Sequence, residues 1–70
     1  MQAVVRSEAK QLAQLMGWAE DFTEGFVEGD ACRCQGCTPP SELMRGDSNY
    51  AVGVQIGYSY GEAYLMWATQ

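Results

Sequence analysis

The stretch Tyr50-Ala51-Val52-Gly53-Val54-Gln55-Ile56-Gly57-Tyr58-Ser59-Tyr60-Gly61 can be read at two periods, and the choice between them decides the fold. At period two, Tyr50, Val52, Val54, Ile56, Tyr58 and Tyr60 share one face, a strand signal in β-favouring residue types. The chain would then turn near Gly57 to Gly61 and return through Glu62 to Ala68 as a hairpin. At helical period, Val52, Ile56, Tyr60, Ala63 and Trp67 form one stripe. Gly53, Gly57 and Gly61 form a second stripe beside it, a spacing that lets another helix approach closely. Those glycines cost about 1 kcal/mol each in helix propensity, so the helical reading needs a reason for them.

The first part of the chain supplies that reason. Over residues 4–29, Leu12, Leu15, Ala19, Phe22 and Phe26 recur at steps of three and four among good helix formers. Ala13, Gly17, Gly25 and Gly29 add small residues at four-residue steps, complementary to the later glycine stripe. Gly17 interrupts this helix, Gly29 suits its C-terminal cap, and Asp47 or Ser48 suits the N-cap of the next. The expected fold is therefore mainly α: a small helical hairpin of residues 4–29 and 48–69 in one domain, joined by a long Cys/Pro connector over 30–47. The alternative is α+β, with the N-terminal helix packed on a C-terminal β-hairpin at 50–68. In the connector, Pro39-Pro40 stops a continuous helix, and Ser41-Glu42-Leu43-Met44 can start one short turn.

Cys32-Arg33-Cys34-Gln35-Gly36-Cys37 is a C-x-C-x-x-C run. Thiolates at such spacings can converge on a soft metal ion, and zinc is the candidate cofactor, with Cys32, Cys34 and Cys37 as ligands. A structural zinc site takes four ligands; the fourth would come from Asp30, Glu42, Asp47, water or another molecule. The other readings are reduced thiols in a loop, two of which can pair adventitiously, a functional redox role, or a disulfide between chains. The sequence contains no histidine, which excludes histidine ligands and histidine acid–base catalysis. A cysteine nucleophile would therefore lack the usual base, and the expectation is that the protein is not an enzyme.

Between residues 20 and 30, Glu20, Asp21, Glu24, Glu28 and Asp30 stand without a Lys or Arg among them. On a helix Glu20, Glu24 and Glu28 form a row about 6 Å apart per step. Such a row beside Phe26, with Tyr58 exposed nearby, suits docking on a basic partner, with carboxylates standing in for phosphates. Glu20, Asp21, Glu24, Phe26, Glu28 and Tyr58 are the candidate partner-binding residues.

With nine acidic and four basic residues among 70, the net charge of −5 disfavours direct binding to nucleic acid. A chain this short buries little core. Trp18, Tyr50, Tyr58, Tyr60, Tyr64 and Trp67 exceed what two elements enclose, so an interface is expected, with a homodimer as one form. Gln55, Ser59 and Glu62 break the one stretch apolar enough to suggest a membrane span. Three clustered cysteines and no apolar signal segment at the N-terminus point to the cytoplasm.

The order Gly25-Phe26-Val27-Glu28-Gly29, then a cysteine and a Thr38-Pro39 loop, then Gly57-Tyr58 and Gly61-Glu62-Ala63 is similar in outline to ribosome modulation factor-like small proteins. The resemblance covers about forty residues and implies two short glycine-containing helices flanking a cysteine–proline loop. That family is strongly basic, as rRNA contact requires, whereas this chain is acidic, so ribosome binding does not carry over. In size and charge the chain also resembles the small proteins that phages encode against host machinery, anti-CRISPR proteins among them. The expected function is inhibition or regulation of a basic macromolecular partner that normally binds nucleic acid. The alternative is a small structural or adaptor module stabilised by a Cys-bound metal ion.

Overall fold

The structure is a computed structural model and describes residues 6–68. Five helices follow in order: α1 (Arg6–Met16), α2 (Glu20–Gln35), α3 (Ser41–Arg45), α4 (Asn49–Ser59) and α5 (Glu62–Ala68). The mainly α reading holds, and no strand occurs among the described residues, so the β-hairpin at 50–68 is not formed. The expected helix ends at residues 4–5 and 69 lie outside the described residues.

Both expected helices are split, each at a glycine of positive φ. Gly17 (φ 73°) ends α1, and the Trp18 amide donates to the Ala13 carbonyl at 2.9 Å, which closes the last turn. Gly61 (φ 54°) separates α4 from α5. Two boundaries differ from expectation for a single reason. Gly29 is not a cap; it sits buried inside α2, which runs on to Gln35 and is capped by Gly36 (φ 77°). Cys32 and Cys34 therefore belong to a helix, and the connector begins only at Gly36.

The dominant contact is between α2 and α4, and glycine makes it. A Cβ on Gly25 would collide with the Tyr50 carbonyl, and one on Gly29 with the Val54 carbonyl. In return, a Cβ on Gly53 would strike the Phe22 carbonyl and one on Gly57 the Phe26 carbonyl. The glycine hydrogens occupy these places, aimed at carbonyl oxygens, as in Cα–H···O contacts between helices. Side chains ordinarily hold packed helices about 8–10 Å apart; here two pairs of glycines remove that spacer from both partners.

The register of these contacts also fixes direction. Gly25 meets Tyr50 and Val54, and one turn later Gly29 meets Val54 and Tyr58. Residue numbers rise together on both helices, so α2 and α4 run parallel. This replaces the expected hairpin geometry, in which neighbours reverse. The segment 36–48 is accordingly a crossover that carries the chain back along the length of α2. Within it Pro40 accepts from the Leu43 and Met44 amides at 3.0 and 3.2 Å, starting the short α3 as expected from Ser41 onward.

Two polar devices position α4. Ser48 Oγ accepts from the Ala51 amide at 3.1 Å, the N-cap anticipated from the sequence. Gln55 Nε2 donates to the Leu43 and Gly46 carbonyls at 2.9 and 2.8 Å, tying the end of α3 to the middle of α4. The apolar core is small. Phe26 is fully buried and Val54 is 1% exposed, with Phe22, Val27, Ile56 and Tyr64 packed around Phe26. Trp18, Phe22, Phe26 and Tyr64 form one aromatic cluster with centroid separations of 5.2 to 6.5 Å.

Candidate functional site: the outward face of α2

The outward side of α2 follows from the same geometry. Gly25, Phe26, Gly29 and Asp30 are buried toward α4 and the core. With about 100° per residue, Glu20, Glu24, Glu28 and Asp21 fall on the opposite half of the helix. Glu20, Asp21 and Glu28 are exposed and Glu24 is half-buried. The carboxylates expected to act together thus share one face, and Glu20 and Asp21 also stand at the helix N-terminus, where negative charge is favoured.

Lys10 of α1 approaches Glu24 at 3.8 Å, with both side chains partly exposed. An exposed pair of this kind contributes only about 0–1 kcal/mol. Beside it, a groove of about 320 Å³ runs between α1 and α2, lined by Lys10, Ala13, Gln14, Trp18, Glu20 and Thr23.

Two of the expected partner-binding residues sit elsewhere. Phe26 has no exposed surface and is the centre of the core, so it supports the face from behind and touches no partner. Tyr58 is half-buried on α4, where its backbone amide lies over Gly29. Asp30, grouped by sequence with the acidic run, is wholly buried and accepts from Arg33 Nη2 at 3.0 Å. That pair lies directly beneath Gly61, where any Cβ would run into both side chains. It serves the α4–α5 turn. No sequence signal separated Asp30 from its exposed neighbours except its position one turn from Arg33 and Phe26.

The three sulfurs are not gathered. Cys32 and Cys34 lie two residues apart on a helix, about 200° around its axis, and Cys37 follows the cap. No group of three or more Cys, Asp or Glu side chains able to hold a metal ion occurs among the described residues. The metal reading of Cys32, Cys34 and Cys37 assumed a loop; the extension of α2 past Gly29 removes that assumption. Cys32 and Cys37 are nonetheless neighbours, and their mutual hydrogen bond, followed by burial and nearby negative charge, pushes the Cys32 thiol above its ordinary pKa.

Large apolar side chains are exposed at both ends of the chain: Leu15, Met16, Tyr60, Met66 and Trp67. Tyr60 and Trp67 pack edge to face at 5.3 Å. Among the described residues, no helix is long and apolar enough to cross a membrane. Comparison of the chain with protein-family models, curated proteins and solved structures returns no match.

Proposed function

We propose that this is a non-enzymatic binding protein that docks through the outward face of α2 on a basic surface of another macromolecule, one that ordinarily holds nucleic acid, and so inhibits or regulates it. The observation that carries this reading is the shared outward direction of Glu20, Asp21, Glu24 and Glu28 on a helix whose other side is locked to α4. The helix backbone that carries the carboxylates is preorganised, so binding has to order only their side chains. Charge of one sign along a face steers a basic partner and makes association sensitive to salt. The cytosol is the expected compartment. The two glycine-bearing helices flanking Cys37, Pro39 and Pro40 match the layout implied by the resemblance to ribosome modulation factor-like proteins, but layout alone assigns no function.

The test is capture of partners from nuclease-treated lysate by the immobilised protein, compared with a variant carrying Glu20→Lys, Glu24→Lys and Glu28→Lys. The expected result is a basic partner whose capture falls at least about tenfold on reversal, weakens with salt and is competed by an oligonucleotide. Equal capture by the reversed variant overturns the proposal. A ribosome cosedimentation arm separates the family resemblance from charge docking: sedimentation that survives reversal places the contact on another face.

A further inference from the structure

The C-terminus of α2 closes with a pair of backbone hydrogen bonds of a defined kind. The Gly36 amide donates to the Arg33 carbonyl at 3.3 Å, and the Cys37 amide donates to the Cys32 carbonyl at 3.0 Å. With Gly36 in the left-handed region, this is a Schellman motif. In that motif the residue four before the left-handed glycine and the residue directly after it bring their side chains together, frequently as a hydrophobic contact. Here both positions are cysteine. The cap therefore seats the Cys32 and Cys37 thiols side by side, and Cys34, about 200° round the helix from Cys32, is directed away.

We propose that Cys32 and Cys37 form a redox-active dithiol site that closes to an intramolecular disulfide by exchange with a low-molecular-weight disulfide such as oxidised glutathione. Cys37 is the more exposed of the two thiols. It loses its proton to solvent, and its thiolate attacks one sulfur of the reagent. A mixed disulfide forms and the first glutathione thiolate leaves. Cys32 then loses its proton, attacks the Cys37 sulfur, and expels the second glutathione thiolate. The two departing thiolates take up the two protons. Two cysteines are oxidised by two electrons in total, and one disulfide reagent is reduced to two thiols. The raised pKa of the Cys32 thiol agrees with its assignment as the second, resolving sulfur.

The closed form links the last turn of α2 to the first residue of the crossover after the cap, and the stabilisation expected of so short a loop raises the melting temperature by roughly 5–10 °C. The experiment equilibrates the full chain in glutathione redox buffers, traps the thiols and maps the products by peptide mass. Wild type and Cys34→Ser are expected to lose two hydrogens within a Cys32–Cys37 linked peptide, while Cys32→Ser stops at a glutathione adduct on Cys37. The melting curve is followed alongside, so that a variant that fails to fold is recognised and the mapping is read on Cys34→Ser and wild type. A link through Cys34, a link between two chains, or a persistent glutathione adduct on folded wild type overturns the assignment.

Discussion

The two faces of α2 carry the same spacing with opposite contents. Inward, Gly25 and Gly29 stand one turn apart and lock against the Tyr50 and Val54 carbonyls. Outward, Glu20, Glu24 and Glu28 stand at the same intervals and face solvent or lie half-buried. The inner face gains contact by having no side chains; the outer face projects side chains that repel one another. The difference separates what holds the molecule together from what it offers to others. Stability is concentrated on one side of the helix, so the other side is free to carry charge that a packed surface would not tolerate.

The sharpest way to break that comparison is to add volume at the seam. Gly29→Leu or Gly57→Leu places atoms into a carbonyl of the facing helix, where neither backbone can yield. The expected cost exceeds about 3 kcal/mol, a large part of the total for a chain this short, and circular dichroism should show loss of the cooperative melt. A native-like melt would mean that α2 and α4 are not in backbone contact. Comparable in size is Phe26→Ala, which empties the centre of the core behind the acidic face. A loss of roughly 3–5 kcal/mol is expected from denaturant titration, whereas a loss below 1 kcal/mol would return Phe26 to the surface. The smallest effect belongs to the outer face. Converting Glu20, Glu24 and Glu28 together to Gln relieves like-charge repulsion of a few tenths of a kcal/mol per pair, but it also removes a favourable carboxylate at the helix N-terminus and the exposed Lys10–Glu24 pair. These terms oppose one another, so stability should change by less than about 1 kcal/mol at low salt, and by less still as ionic strength increases. Marked destabilisation by this triple change would show that the carboxylates have a structural task.

Much of this arrangement was legible in the chain. The four-residue glycine steps revealed close helix contact, Asp47 and Ser48 marked the start of α4 to within one residue, and the carboxylate row followed from periodicity alone. Direction was not legible, because a stripe at i and i+4 is the same whether its partner runs parallel or antiparallel. Gly29 was misread because a glycine that ends a helix and one that admits a neighbour look alike without knowing what stands opposite. That single ambiguity displaced Cys32 and Cys34 into a loop and suggested a metal site that the helix does not assemble. Phe26 was assigned to the binding surface by its acidic neighbours, although its four-residue step from Phe22, in the apolar stripe of the same helix, marked the inner side. Gln55 gave no signal, since a polar residue in mid-helix ordinarily faces water, and only the folded crossover supplies the two carbonyls it binds.

Because α2 and α4 run in the same direction, no contact along their seam joins residues near one another in the chain. The crossover must close before any glycine meets its carbonyl, and the entropy of that closure falls at the start of folding. Assembly should therefore be slower and more all-or-none than in an antiparallel pair of equal length. Lengthening the segment between Cys37 and Ser48 should retard folding while leaving the unfolding rate nearly untouched.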